Sequence, residues 1–179
     1  MDRGLPGLLA PQPRPAEGPS GAPLSRRGAA RAVADVTAGS LVATVDIDAP
    51  PERVFAAVST PEVAQWWGSA ETYRIEHWSM DLRPGGEWRS EGTTADDRKF
   101  IVRGTVLEVN PPWLLVHSWT YDWDRGGTTT VRWEVELLGP SASRLTVRQW
   151  GFGADAAGCE GHARGWEGVL GWLTSHLER

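Results

Sequence analysis

The sequence predicts an α+β domain in which a curved antiparallel sheet wraps around a long C-terminal helix, with two short helices after the first strand. Three observations carry that prediction. Between residues 72 and 150 the chain alternates stretches of strand character with Gly- and Pro-rich breaks at hairpin spacing. From 160 to 177, Trp166, Val169, Leu170, Leu173 and Leu177 recur at helical spacing. Between the first strand and the rest stand two short segments that each open with proline.

The elements follow in order. Residues 1–38 hold six of the 13 prolines and no aromatic, with no sustained period of 2 or 3.6. Such a stretch cannot bury enough apolar surface to repay ordering, so 1–38 is expected to be a disordered Pro/Gly/Arg-rich tail and 39–179 the folded domain. A secretory signal is rejected because its only candidate apolar core, 5–10, is broken by Pro6 and Gly7. Residues 41–47 read as a strand. The helix at 50–58 has proline in its first turn and Val54, Phe55 and Val58 on one face. A second helix starts at Thr60-Pro61-Glu62, where Thr60 is placed to cap and Glu62 complements the positive helix end. It stops near Trp66-Trp67-Gly68. Strands are expected at 72–81, 87–91, 100–109, 113–121, 128–137 and 144–150. The breaks are Arg83-Pro84-Gly85-Gly86, Asn110-Pro111-Pro112, Gly126-Gly127 and Gly139-Pro140. The 160–177 helix carries Gly161, Gly165, Gly168 and Gly171, each costing roughly 1 kcal/mol relative to Ala. It must therefore be held by its Trp/Leu stripe against the sheet, with Glu167 and Thr174 on the other side.

Composition excludes several classes of function. The net charge is −5, and five arginines against three acids in residues 1–38 leave −7 for the rest. With Lys99 its only lysine, such a body repels phosphates, so neither nucleic acid nor a charged membrane surface is an expected partner. No apolar run is long enough to span a bilayer. The single cysteine, Cys159, excludes an internal disulfide and fits a reducing compartment, so a cytoplasmic location is expected. The four histidines include no i, i+4 pair, and Cys159 has no second ligand pair, so no metal and no other cofactor is expected. Gly85-Gly86 precedes a strand without Lys-Ser/Thr and is no phosphate loop. Arg83, Arg89, Arg98 and Arg103 read as solvated strand faces paired with neighbouring acids.

This order of elements is that of the helix-grip, or START-like, fold, and the residues add a resemblance. Asp48-Ala49-Pro50-Pro51-Glu52-Arg53-Val54-Phe55, Trp66-Trp67-Gly68, Asp81-Leu82-Arg83-Pro84-Gly85-Gly86, the segment from Gly104 to Pro112, and Gly165-Trp166 resemble the SRPBCC superfamily. The branch is the one named after the C-terminal domain of the Hsp90 ATPase activator, and the resemblance runs over residues 40–179. Two positions depart from the branch pattern. His117 stands where an apolar or aromatic residue is more frequent, and Gln149 stands where His often occurs. The resemblance implies a grip fold with space between helix and sheet, and, as an alternative, interaction with a chaperone ATPase.

The unusual aromatic count, 11 Trp against 2 Tyr and 3 Phe, directs the functional reading. Trp66, Trp67, Trp78, Trp88, Trp119, Trp133 and Trp166 are expected to cluster between helix and sheet, as core or, for all of them but Trp66 and together with Leu170, as the lining of an apolar cavity. His117 shares strand parity with Leu115 and Trp119, and Gln149 with Leu145 and Val147, so both should face inward as polar anchors or satisfied core groups. The expected function is binding of an apolar or aromatic small molecule by these nine residues, with no catalytic residue assigned. The alternatives are a chaperone-activating module and a polyketide cyclase or aromatase-like enzyme working through His117.

Overall fold

The computed structural model of the chain describes residues 29–122 and 127–179. Its elements are β1 (Arg31–Asp35), β2 (Ser40–Ile47), α1 (Pro51–Ser59), α2 (Val63–Trp66), β3 (Tyr73–Met80), β4 (Glu87–Thr94), β5 (Lys99–Asn110), β6 (Leu114–Tyr121), β7 (Thr129–Gly139), β8 (Ala142–Trp150) and α3 (Ala156–Leu177). The strands form one antiparallel sheet in the order β1-β2-β8-β7-β6-β5-β4-β3. Strands β3 to β8 form a meander, and β8 pairs back onto β2. The connection through α1 and α2 therefore carries the chain from β2 to the opposite edge of the sheet. This is the helix-grip architecture.

Among the strands, α3 packs closely, backbone to backbone, on β1 and β2. Toward β3–β6 the space under the helix is filled by large side chains from both sides. The inward positions alternate along each strand as a half-buried antiparallel sheet requires. On β7 these are Val131, Trp133 and Val135, and on β8 Leu145, Val147 and Gln149. The buried stripe of α3 is Cys159, Ala163, Trp166, Val169, Leu170 and Leu173.

Three expectations need correction. The folded domain starts before residue 39: β1 pairs with β2 from Arg31↔Thr44 to Asp35↔Ser40, and the Ala32 amide donates to Glu167 Oε1 at 3.0 Å. A backbone ladder and one ion-capable side chain order this short strand, which no hydrophobic pattern announces. Residues 1–28 of the expected tail, and part of the Gly126-Gly127 turn, lie outside the described residues. The long helix begins at Ala156, four residues earlier than expected, because Asp155 caps it by accepting from the Gly158 amide at 2.9 Å. Thr174 faces inward, its hydroxyl returned to the Leu170 carbonyl at 2.9 Å.

Candidate functional site

Trp67 is the hub of the interior. It follows the single turn of α2 and is pinned by its carbonyl, which accepts from the Ile75 amide at 3.1 Å. Gly68 makes this possible: at φ +116° it sits so close to β3 that a Cβ would stand 2.0 Å from the Tyr73 carbonyl oxygen. Trp67 ring contacts reach Trp66 (5.2 Å between centroids), Trp166 (5.7 Å), Trp119 (6.0 Å), Trp133 (6.1 Å) and Trp78 (6.2 Å). Trp78 enters this cluster because of a β-bulge between Ile75 and His77. The extra residue changes the parity, so Ile75 and Trp78, three apart, are both buried while His77 is exposed. Gly104 has a similar role for Trp88. It faces Trp88 across β4 and β5, and its missing side chain leaves room for the indole to donate to the Ser118 carbonyl at 2.8 Å.

His117 and Gln149 are fully buried and lie in one row across β6, β7 and β8, both opposite Val131. Each accepts an indole proton. Trp133 Nε1 donates to His117 Nε2 at 2.9 Å, and Trp166 Nε1 donates to Gln149 Oε1 at 2.8 Å. Gln149 Nε2 donates onward to Thr129 Oγ1 at 2.8 Å. Because an indole can only donate, His117 Nε2 must be the acceptor, and its proton sits on Nδ1 facing the Ser118 carbonyl at 3.1 Å. Burial pushes the imidazole down to about 4, against the weaker opposing effect of that carbonyl. Both ring nitrogens are committed, so His117 has no atom left for acid–base chemistry on a substrate.

The expected open cavity between helix and sheet is a filled, aromatic interior with a void of only about 10 Å³, roughly the room for one water. Trp67, Tyr73, Ile75, Trp78, Ser90, Phe100, Val102, Trp119 and Tyr121 line it. Of the nine expected ligand residues, the structure brings Trp67, Trp78 and Trp119 to this wall. Trp88, His117, Trp133, Gln149, Trp166 and Leu170 join the same cluster away from it, as packed core. Sequence reading missed Ser90, Tyr73 and Phe100. Strand parity was the available signal, since Ser90 alternates inward with Trp88 on β4. Tyr73 is buried, accepts from Trp67 Nε1 at 3.1 Å, and has its phenol pushed up by burial. A larger concavity of about 580 Å³ lies on the outer sheet face, where Ser79, Arg89, Arg103, Thr105 and Thr120 make it polar and open.

Other chemistry is structural. Cys159 is buried against the Ser40 carbonyl, and burial raises its thiol. Among the described residues no group of three or more His, Cys, Asp or Glu is placed to hold a metal, and no helix is long and apolar enough to cross a membrane. Glu62 ties the helices together: it takes both nitrogens of Arg53 and, at 2.6 Å, Nε2 of His176 near the end of α3. Arg83, Arg89 and Arg98 pair with Asp81, Glu91 and Asp96 on the surface.

Fold and interior together define a helix-grip domain of the SRPBCC type with a tryptophan-filled core. The chain belongs to the family described as Activator of Hsp90 ATPase homolog 1-like protein, whose model matches residues 48–178. Solved structures agree. An AHSA1 protein from Silicibacter pomeroyi is 28% identical with a TM-score of 0.67, over 78% of this chain and 97% of that one. A protein from Rhodobacter sphaeroides is 26% identical with a TM-score of 0.68, over 79% and 93%. DynU16, a protein in the dynemicin biosynthetic locus, is 25% identical with a TM-score of 0.61, over 84% of this chain and 47% of that one. No curated protein is significantly similar to the chain.

Proposed function

We propose that the domain binds a small, flat aromatic molecule where Trp67, Trp78 and Trp119 meet Tyr73 and Phe100. One observation carries this reading. The interior void is walled on several sides by aromatic faces, at the place where α3 does not close backbone to backbone on the sheet. Stacked and edge-on rings offer a flat ligand the same contacts they offer one another. The void itself holds little, so binding requires the rings to part. Tyr73 is the side chain to yield, because at 9% exposure it is the most exposed residue of the wall, and it packs edge-on against the half-buried Trp172 at 5.9 Å as well as against Phe100. The neighbour in a biosynthetic locus is consistent with a role beside small-molecule chemistry.

A thermal-shift screen of single- and two-ring aromatics tests this. A ligand selective for the native state stabilises by mass action, about 2.7 kcal/mol at a hundredfold excess over its Kd. The expected result is a raised Tm with quenching of tryptophan emission. No shift across such a panel, with Hsp90 ATPase turnover raised by the protein, would give the chaperone reading that the family name suggests.

A further inference from the structure

We propose that the ligand of this site carries a neutral hydrogen-bond-accepting oxygen, a ketone on an aromatic ring, and that Trp78 Nε1, Trp119 Nε1 and Ser90 Oγ hold it. This rests on the binding reading above and specifies its chemistry. The observation is separate. Three buried side-chain polar atoms have no hydrogen-bond partner among the described residues, and they are these three. All three residues line the same void.

Their convergence is built into the sheet. Ser90 stands directly opposite Trp78 across β3 and β4. Trp78 and Trp119 both pack on Trp67, at 6.2 and 6.0 Å, and both pack on Trp88, at 5.1 and 5.2 Å. The contrast with the other indoles is the point. Trp66, Trp67, Trp88, Trp133 and Trp166 each donate to a protein acceptor. Folded interiors leave few buried polar groups unpaired, because each costs its desolvation. Three at one void is a concentration that packing alone does not explain.

The chemistry of the wall selects the ligand. Indole N–H groups only donate, and Tyr73, whose hydroxyl already accepts from Trp67, has a proton of its own to give. Among the described residues, no carboxylate, lysine or arginine lines the void. Donors without a cation suit the neutral oxygen of a carbonyl better than a carboxylate or a phenolate, whose full charge would be costly in so apolar a place. Aromatic faces around those donors suit a ring bearing that oxygen.

The test uses 1-indanone and indane, two flat molecules of nearly the same shape that differ in the ketone. Full-length protein is titrated with each by calorimetry. The proposal expects 1-indanone to bind at least tenfold more tightly. Ser90→Ala and Trp119→Phe should each collapse that preference several-fold. Ser90→Ala removes a hydroxyl that is unpaired in the free protein, so its Tm should hold or rise, which separates loss of preference from loss of fold. Equal affinity for the two molecules overturns the acceptor proposal and leaves the aromatic site standing. A crystal structure with 1-indanone in which a resident water keeps the three donors also overturns it. If neither molecule binds, the site reading fails and the proposal fails with it.

Discussion

His117 shows how one buried side chain sets a pH limit on the whole protein. Its folded-state value of about 4 lies below the ordinary histidine value of about 6.5. The unfolded chain therefore takes up the proton first as the pH falls. Stability from this group is complete above about 6.5 and is lost as the pH drops toward 4, by about 3 kcal/mol in all. Asp46, Glu62 and Glu134 also lose stability in acid. Arg144 lowers Asp46, Arg132 lowers Glu134, and Arg53 and His176 outweigh burial at Glu62. Those losses are common to wild type and a His117 variant, so comparing the two from pH 6.5 to 4.5 reads the contribution of His117. Urea unfolding across that interval should show a loss of roughly 2–3 kcal/mol in wild type. His117→Gln, which can still accept from Trp133 and donate to Ser118, should flatten it. Trp166→Ala should cost about 3–5 kcal/mol by the same measurement, since it removes a fully buried indole and strips Gln149 of its donor. A loss under about 1 kcal/mol would mean that the cluster repacks around the gap.

At the scale of elements, the order from β2 to α3 was legible because alternation, proline-led helices and Gly-Pro breaks are local signals. Strand β1 was not. Ala32 and Ala34 face a helix, Val33 is exposed, and five residues of mixed character produce no period that stands out from the proline-rich text before them. What orders β1 is non-local: the ladder to β2 and the bond from Ala32 to Glu167, 135 residues away. Deletion of residues 1–38 should therefore lower the Tm by several degrees and expose the β2 edge. Deletion of 1–28 should leave it within a degree or two. Differential scanning calorimetry of the two truncations would separate them, and equal midpoints would show that β1 contributes nothing. The start of α3 was missed for a related reason. Ala156, Ala157 and Gly158 carry no apolar period, and only the cap by Asp155 marks the boundary.

For the whole molecule, tryptophan abundance correctly pointed to the interior, and parity correctly turned His117 and Gln149 inward. Their function did not follow from parity. The hydrogen bonds that commit both to indole donors depend on how three strands and a helix align, which no local pattern records. The wall of the void was only partly legible because Tyr73, Ser90 and Phe100 have an ordinary strand context. The unpaired indole protons of Trp78 and Trp119 at that void report on it directly through their resonances. In an ¹⁵N-edited spectrum of the 11 indole groups, assigned through Trp→Phe variants, added 1-indanone should move the Trp78 and Trp119 signals downfield. The Trp133 and Trp166 signals, already bonded to His117 and Gln149, should stay within a small fraction of that change. Shifts confined to the exposed Trp113 and Trp150, or no shift at saturating ligand, would show that the ligand does not reach the unpaired indoles.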